Sequence, residues 1–351
     1  MADHDADEGP LVPLPAIGAD AVWPDDAWES GPQLTGDPER LAALLDPVFA
    51  VPSTPELGQS LAFVAVQGGR VVAERYGPGV DASSTLISWS MAKSITHGLA
   101  GLVCADGRLD VDAPLTAPEW DGPDDPRGAI TTRDLFRMRS GLRFVEDYVD
   151  DTTSDCLSML WGEGADDVAH YAASLPLDHA IGSTFNYSSG TTNIICRHLG
   201  DLLGGEDGLR AYLAERLFGP LAMRSATPQF DAAGTWVGSS YVFATARDYA
   251  RFGLWYLRDG LWRGERLLPE GWVDAARTRR SVDEETGWGY GEHWWVRNDT
   301  HGTFWANGYE GQLTMCVPGL DLVIVRLGKT PSELRPHREA FVAEVLACFE
   351  G

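Results

Sequence analysis

Apolar and polar positions alternate at two different periods along the chain, and the switches between them give an order of elements. The segment LAFVAVQGGRVVAERYG carries two apolar, β-branched runs separated by Gly68 and Gly69, which predicts an antiparallel hairpin. A short helix is predicted just before it, in ERLAALLDPVF. From Ser90 the period changes: Met91, Ile95, Leu99 and Leu102 recur at helical spacing, and Gly107 follows the last turn. TTRDLFRM, DDVAHYAASL, TTNIICRHLGDLL, LRAYLAERLF and ARDYARFGLWYLRDG are helical patterns as well, several opened by threonine or aspartate. The chain then returns to strands in GYGEHWWVR, GTFWAN, GQLTMCV and DLVIVRLG, and a last helix is predicted in PHREAFVAEVLACF.

Strands near both ends with helices between them predict an α+β architecture. One antiparallel sheet is built from the two chain ends, flanked by helices and interrupted by a mainly helical insertion. Residues 1–37 read as an irregular acidic arm, with Trp23 and Trp28 as anchors. Residues 38–351 read as one folded unit, its sheet-bearing part at about 38–90 and 286–351 and its helical insertion at about 91–285. The sequence contains no internal repeat.

Composition narrows the function. With 44% hydrophobic and 10% aromatic residues in 351, a substantial core is available. A formal charge of −25 argues against nucleic acid or an anionic membrane as partner, because both demand basic surface. There is no apolar run of about 18 residues. The start MADHDADEGP lacks the basic and apolar regions of a secretory signal, so a cytoplasmic location is expected. The five cysteines are widely separated, without CxxC spacing, and read as buried small hydrophobes in a reducing compartment. The eight histidines include no HExxH and no close ligand set, so neither a metal nor another cofactor is expected. Oligomeric state stays open, a homodimer included.

Candidate chemistry begins at SWSMAKSITH. Only Lys93 and Lys329 are lysines among 27 basic residues, and Lys93 lies three positions after Ser90. On a helix that spacing places the amine within reach of the hydroxyl. Serine needs a base to become a nucleophile. Lysine can lose its proton when buried or crowded by cations, whereas arginine cannot. With 20 serines and two lysines, roughly 0.1 such SxxK matches are expected by chance. No GxSxG elbow occurs, which argues against an α/β-hydrolase.

Two further segments carry possible chemistry. In FNYSSGTTN, Tyr187 sits in a turn before a helical pattern, where a phenol near an ammonium can act as base and acid, or simply pack. In FWANGYEGQL, Gly308 and Gly311 flank Tyr309 and Glu310 between two strands, where backbone N–H groups can approach a substrate.

Taken together and in order, these segments resemble the serine β-lactamase and penicillin-binding-protein superfamily, and within it the class C-like branch of carboxylesterases and 6-aminohexanoate-dimer hydrolases. The matching residues are Ser90-Met91-Ala92-Lys93, then Tyr187-Ser188-Ser189, then Ala306-Asn307-Gly308. ITTRDLFRMRSGL is similar to the segment that follows the first helix in that family. The similarity runs from about residue 40 to the end. It implies a β-lactamase/transpeptidase-like fold with Ser90 as nucleophile, Lys93 holding or shuttling the proton and Tyr187 as general base. It also implies an oxyanion hole from the N–H groups of Ser90 and Tyr309, with Ser189, Asn307 and Gly308 at the substrate.

Departures from the family pattern bear on substrate. Ala306 brings neither the cation nor the hydroxyl that holds a β-lactam carboxylate, and Ser189 replaces the usual asparagine. Lys329-Thr330-Pro331 imitates the missing motif but has proline where the glycine belongs and follows the last predicted strand. FVEDYVDD reads first as a solvated acidic loop and second as a site for an ammonium-bearing substrate. Trp294, Trp295 and Trp305 read as core, with an acyl-pocket wall as the alternative. The expectation is a cofactor-free serine hydrolase acting on a small ester or linear amide through an acyl-enzyme. Its rivals are a β-lactamase or D-alanyl peptidase, which needs a cation supplied by another residue such as an arginine entering the cleft, and a non-catalytic ligand-binding module on the same fold.

Overall fold

The computed structural model describes residues 10–18, 21–51, 53–150 and 152–351. The first nine residues of the acidic arm, and Asp151 at the end of the acidic loop, lie outside them.

The hairpin pattern forms two strands, Gln59–Gln67 and Arg70–Tyr76, joined through Gly68 and Gly69. These pair with the C-terminal strands to make an eight-stranded antiparallel sheet. Its spatial order is 70–76, 59–67, 322–329, 312–317, 304–308, 295–296, 289–290 and 281–282. The first strand runs along the last long one, with Val64 opposite Val325 and Val66 opposite Val323. Both sheet faces are covered, which explains why these strands are apolar almost throughout. Phe63, Ala65, Leu313, Met315 and Ile324 point toward helices Pro38–Phe49 and Arg335–Ala347 and meet Leu45, Phe341 and Val345. Val64, Val66, Cys316, Val323 and Val325 point the other way, under helices Met91–Ala105 and Ala246–Leu257.

The insertion is mainly helical, as its periodicity predicts. Thr131 and Asp134 form a reciprocal capping box that starts Thr132–Phe136. Ser188 caps Ser189–Leu203 by accepting from Thr191 N. LRAYLAERLF departs from one continuous helix: Gly205–Tyr212 passes into a π-helical stretch at Leu213–Phe218. A small three-stranded sheet of Leu86–Ile87, Val242–Ala244 and Thr227–Pro228 lies beside the start of helix Met91–Ala105.

GYGEHWWVR is not the single strand that its composition predicts. Gly289–Tyr290 and Trp295–Val296 pair with each other as two short strands, and the residues between them turn into the interior. Glu292 accepts from Arg133 and Arg137, His293 contacts Thr192, and Trp294 stacks against Phe252. Burying a carboxylate, an imidazole and an indole together overrides strand propensity here, and His293 takes φ 57° to allow it.

All five cysteines are free thiols, four of them buried. Among the described residues, no helix is long and apolar enough to cross a membrane.

Candidate active site

Ser90 is the N-cap of helix Met91–Ala105 but does not cap it with its side chain. Its hydroxyl instead accepts from Lys93 Nζ at 2.9 Å. Lys93 is 1% exposed, and its other two protons go to Ser189 Oγ at 2.9 Å and to the Ser239 carbonyl at 3.1 Å. An ammonium has three donors, and here each has one acceptor.

Ser90 opens onto a cleft of about 390 Å³, lined among others by Tyr187, Trp295, Asn307, Gly308 and Tyr309. The sheet strand Phe304–Gly308 presses against the turn before Ser90. A Cβ at Gly308 would lie 2.5 Å from the Ser88 carbonyl, so no larger residue permits this approach. This packing brings the 309–311 turn beside the start of helix Met91–Ala105. Neither the Ser90 N–H nor the Tyr309 N–H donates to a backbone carbonyl among the described loops and turns. Backbone N–H groups outside the loop and turn hydrogen bonds are the donor type that an oxyanion requires.

Tyr187 stacks on Trp295, with ring centroids 5.4 Å apart, and Lys93 Nζ lies 4.9 Å from the Tyr187 ring centroid. Burial pushes the phenol's pKa up; Lys93 pulls it down and Glu146 pushes it up again, leaving it raised overall. Tyr187 at rest is therefore the neutral phenol.

Two of the sequence-predicted residues occupy unexpected places. Ser189 lies behind Lys93, 1% exposed, and donates to Glu146 Oε1 at 2.6 Å. It joins the lysine to a carboxylate instead of lining the cleft. Asn307 is at the cleft, but its Oδ1 accepts from Arg338 Nη1 at 3.1 Å. Lys329 is exposed at the end of its strand, while the Thr330 hydroxyl bonds the Leu57 carbonyl.

The solvated-loop reading of FVEDYVDD is overturned for its first half. Glu146 accepts from Ser189 N at 2.7 Å, from Ser189 Oγ and from the Tyr148 hydroxyl. Tyr148 stacks on Tyr309 at 4.8 Å. Asp147 and Asp150 do behave as turn formers, accepting from backbone N–H groups within the loop. Periodicity has no signal for this distinction, because Glu146 becomes a site residue only when the loop folds onto the helix that starts at Ser189. The aromatic cluster also divides. Trp294 is core, Trp295 walls the cleft, and Trp305 packs edge to face on Trp288.

The family model described as Beta-lactamase matches residues 56–348. The chain belongs to the beta-lactamase family. Its fold is the β-lactamase/transpeptidase-like one, and its relatives are serine hydrolases with amidase, esterase and β-lactamase-like members. A 6-aminohexanoate-dimer hydrolase of Paenarthrobacter ureafaciens is 27% identical, over 92% of each chain. A Bacillus anthracis protein described as a candidate 6-aminohexanoate-dimer hydrolase superposes with TM-score 0.72 at 22% identity, covering 93% of this chain and 87% of that one. A family VIII carboxylesterase superposes with TM-score 0.64 at 12% identity, over 91% and 98% of the two chains.

Within this beta-lactamase fold, the cation absent from Ala306 is present elsewhere. Arg335 and Arg338, from the last helix, both line the cleft. Arg335 is paired with Glu285 at 2.6 Å, whereas Arg338 spends one nitrogen on Asn307. Arg338 carries no signal in chain order, because an arginine on the last helix becomes a cleft residue only when that helix packs beside Asn307.

Proposed function

We propose that this chain is a serine hydrolase that cleaves a small ester or linear amide through an acyl-enzyme on Ser90. The observation that carries this reading is the 2.9 Å contact between Ser90 Oγ and Lys93 Nζ at the floor of an open cleft. In the fraction of molecules whose Tyr187 has released its phenol proton to solvent, Ser90 Oγ attacks the substrate carbonyl carbon and the Tyr187 phenolate takes the hydroxyl proton. Lys93 stabilises that phenolate across the 4.9 Å contact. The N–H groups of Ser90 and Tyr309 receive the developing oxyanion. Tyr187 then protonates the departing alcohol or amine, leaving the acyl group on Ser90. In the second half, Tyr187 takes a proton from water, which attacks the acyl carbon, and Ser90 leaves with its proton restored.

Small substrates fit the volume, and an amino-acid oligomer of the kind named for the Paenarthrobacter relative is the leading linear amide. Glu146, Ser189 and Lys93 form a chain that keeps the lysine fixed while protons move at Ser90. No step calls for a cofactor.

The test is a comparison of wild type with Ser90→Ala on short-chain p-nitrophenyl esters, a 6-aminohexanoate dimer and a chromogenic cephalosporin, with intact-mass detection of the acyl adduct. Ester or dimer turnover, with an adduct lost in the variant, supports the proposal. Absence of both turnover and adduct supports the binding-module alternative. A β-lactamase or D-alanyl peptidase is the second reading, favoured by Arg338 at the cleft, and dominant cephalosporin turnover would establish it.

A further inference from the structure

Trp89 precedes the nucleophile and Glu310 follows Tyr309, and both adopt left-handed backbone conformations, with φ of 43° and 59°. Neither is glycine, so each conformation carries strain that must be held by its surroundings. The two side chains hold each other: Trp89 Nε1 donates to Glu310 Oε2 at 3.1 Å. The Trp89 ring also meets the Tyr309 ring edge to face, at 5.8 Å.

The same turn is gripped from behind. The Glu310 carbonyl accepts from Thr330 N at 2.9 Å and from Arg326 Nη1 at 3.1 Å, and the Gly311 carbonyl accepts from Arg326 Nη1 at 3.0 Å. Arg326 is 1% exposed, and its hydrogen bonds go to carbonyls and hydroxyls, none to a carboxylate. Burial, with Arg338 nearby, lowers its pKa to about 9. A buried guanidinium spent on backbone carbonyls is a costly support, and it serves the turn that carries Tyr309.

We propose that Glu310 is a positioning residue for the oxyanion hole, locking the Tyr309 N–H to the Ser90 N–H through its bond to Trp89. The inference rests on the Ser90 acyl-enzyme reading. The two donors come from chain segments over two hundred residues apart, so their relative placement is set by tertiary contacts alone. A bond from the residue before one donor to the residue after the other is such a contact. Transition-state stabilisation depends on donor placement far more than ground-state binding does, so the loss on breaking the bond falls on kcat.

The experiment compares wild type, Glu310→Ala, Glu310→Gln, Trp89→Phe and the Trp89→Phe/Glu310→Ala double variant. Each is assayed with p-nitrophenyl butyrate, for inhibition by phenylboronic acid and for thermal unfolding. Glu310→Ala and Trp89→Phe should each lower kcat about 10- to 100-fold with KM within about twofold. Boronate affinity should fall in parallel, because the boronate forms a tetrahedral adduct on serine. The double variant should be no worse than either single one, and Glu310→Gln, which keeps an acceptor oxygen, should recover most of kcat. If Glu310→Ala does not fold, Trp89→Phe and Glu310→Gln carry the comparison. Wild-type kcat in Trp89→Phe, multiplicative losses in the double variant, or a loss confined to KM would overturn the proposal. The last outcome would make Glu310 a substrate contact. Failure of the acyl-enzyme reading itself shows separately, as a wild type with no turnover and no Ser90 adduct.

Discussion

Lys93 Nζ and Ser189 Oγ stand 2.9 Å apart, and the same serine donates to Glu146 at 2.6 Å. The lysine is thus held between the Ser90 hydroxyl on one side and a carboxylate, one hydroxyl removed, on the other. Lys93→Arg keeps the charge but replaces a compact three-way donor with a planar fork that cannot reach Ser90, Ser189 and the Ser239 carbonyl together. We expect kcat to fall about 10²- to 10⁴-fold in Lys93→Arg, the range for removing acid–base assistance, and to be abolished in Ser90→Ala. Wild-type rates in Lys93→Arg would sink the claim that the site needs the compact three-way donor of Lys93.

Tyr187 sets the expected pH dependence. Its pKa is raised by burial first, lowered by Lys93 and raised by Glu146. If the phenolate is the base, kcat rises with pH from neutrality upward, because the active form is the deprotonated one. Glu146→Gln removes a contribution that raises the pKa, so the same rise should move to lower pH. A pH profile that does not move, or moves upward, would count against Tyr187 as base. Tyr187→Phe should lose the rise altogether while keeping its thermal unfolding midpoint.

Gly308 tests the close approach that assembles the site. A methyl at this position would sit 2.5 Å from the Ser88 carbonyl, so the strand must retreat from the turn that precedes Ser90. Gly308→Ala should cost about 1–3 kcal/mol of stability and lower kcat more than tenfold. Calorimetry and ester kinetics on one preparation check both, and an unchanged kcat would show that the strand end does not set the donor geometry.

Arg338 separates the two hydrolase readings. A guanidinium bonding a substrate carboxylate contributes enough that its removal raises KM about tenfold or more. Arg338→Met should therefore raise KM for a cephalosporin well beyond any change seen for an uncharged ester. Equal changes for both substrates would assign Arg338 to holding Asn307 alone.

Two buried histidines predict how stability varies with pH. His97 and His293 are both depressed below the ordinary value of 6.5, burial being the main cause. Lowered folded-state values mean that the unfolded chain binds more protons below about 6.5, so their contribution is full above that pH and is lost as pH falls. Burial pushes the Glu292 carboxyl up, but with the Arg133 guanidinium 2.8 Å away it is lowered to about 2 and adds the same sign between its ordinary 4.5 and about 2. Thermal unfolding should be level near pH 7.5 and fall steadily below pH 6.5. A midpoint that stays constant to pH 5 would show that the two imidazoles are not held neutral by burial.

The sequence by itself determined the elements that rest on local periodicity and the residues that lie close in chain order. Ser90 and Lys93 are three positions apart, so a helix alone brings them together. The antiparallel sheet from both ends follows from apolar strands at both ends and a turn at Gly68-Gly69. Tertiary structure alone decided what depends on contacts across the chain. Glu146 is a loop acid until it meets Ser189 N, and Glu292 and His293 read as strand residues until helix Met91–Ala105 covers them. Arg338 reaches the cleft only because the last helix crosses behind the strand that carries Asn307. Hydrogen bonds and buried charges have no sequence period: they are satisfied by whichever element the fold brings within about 3 Å, and that distance is fixed by packing.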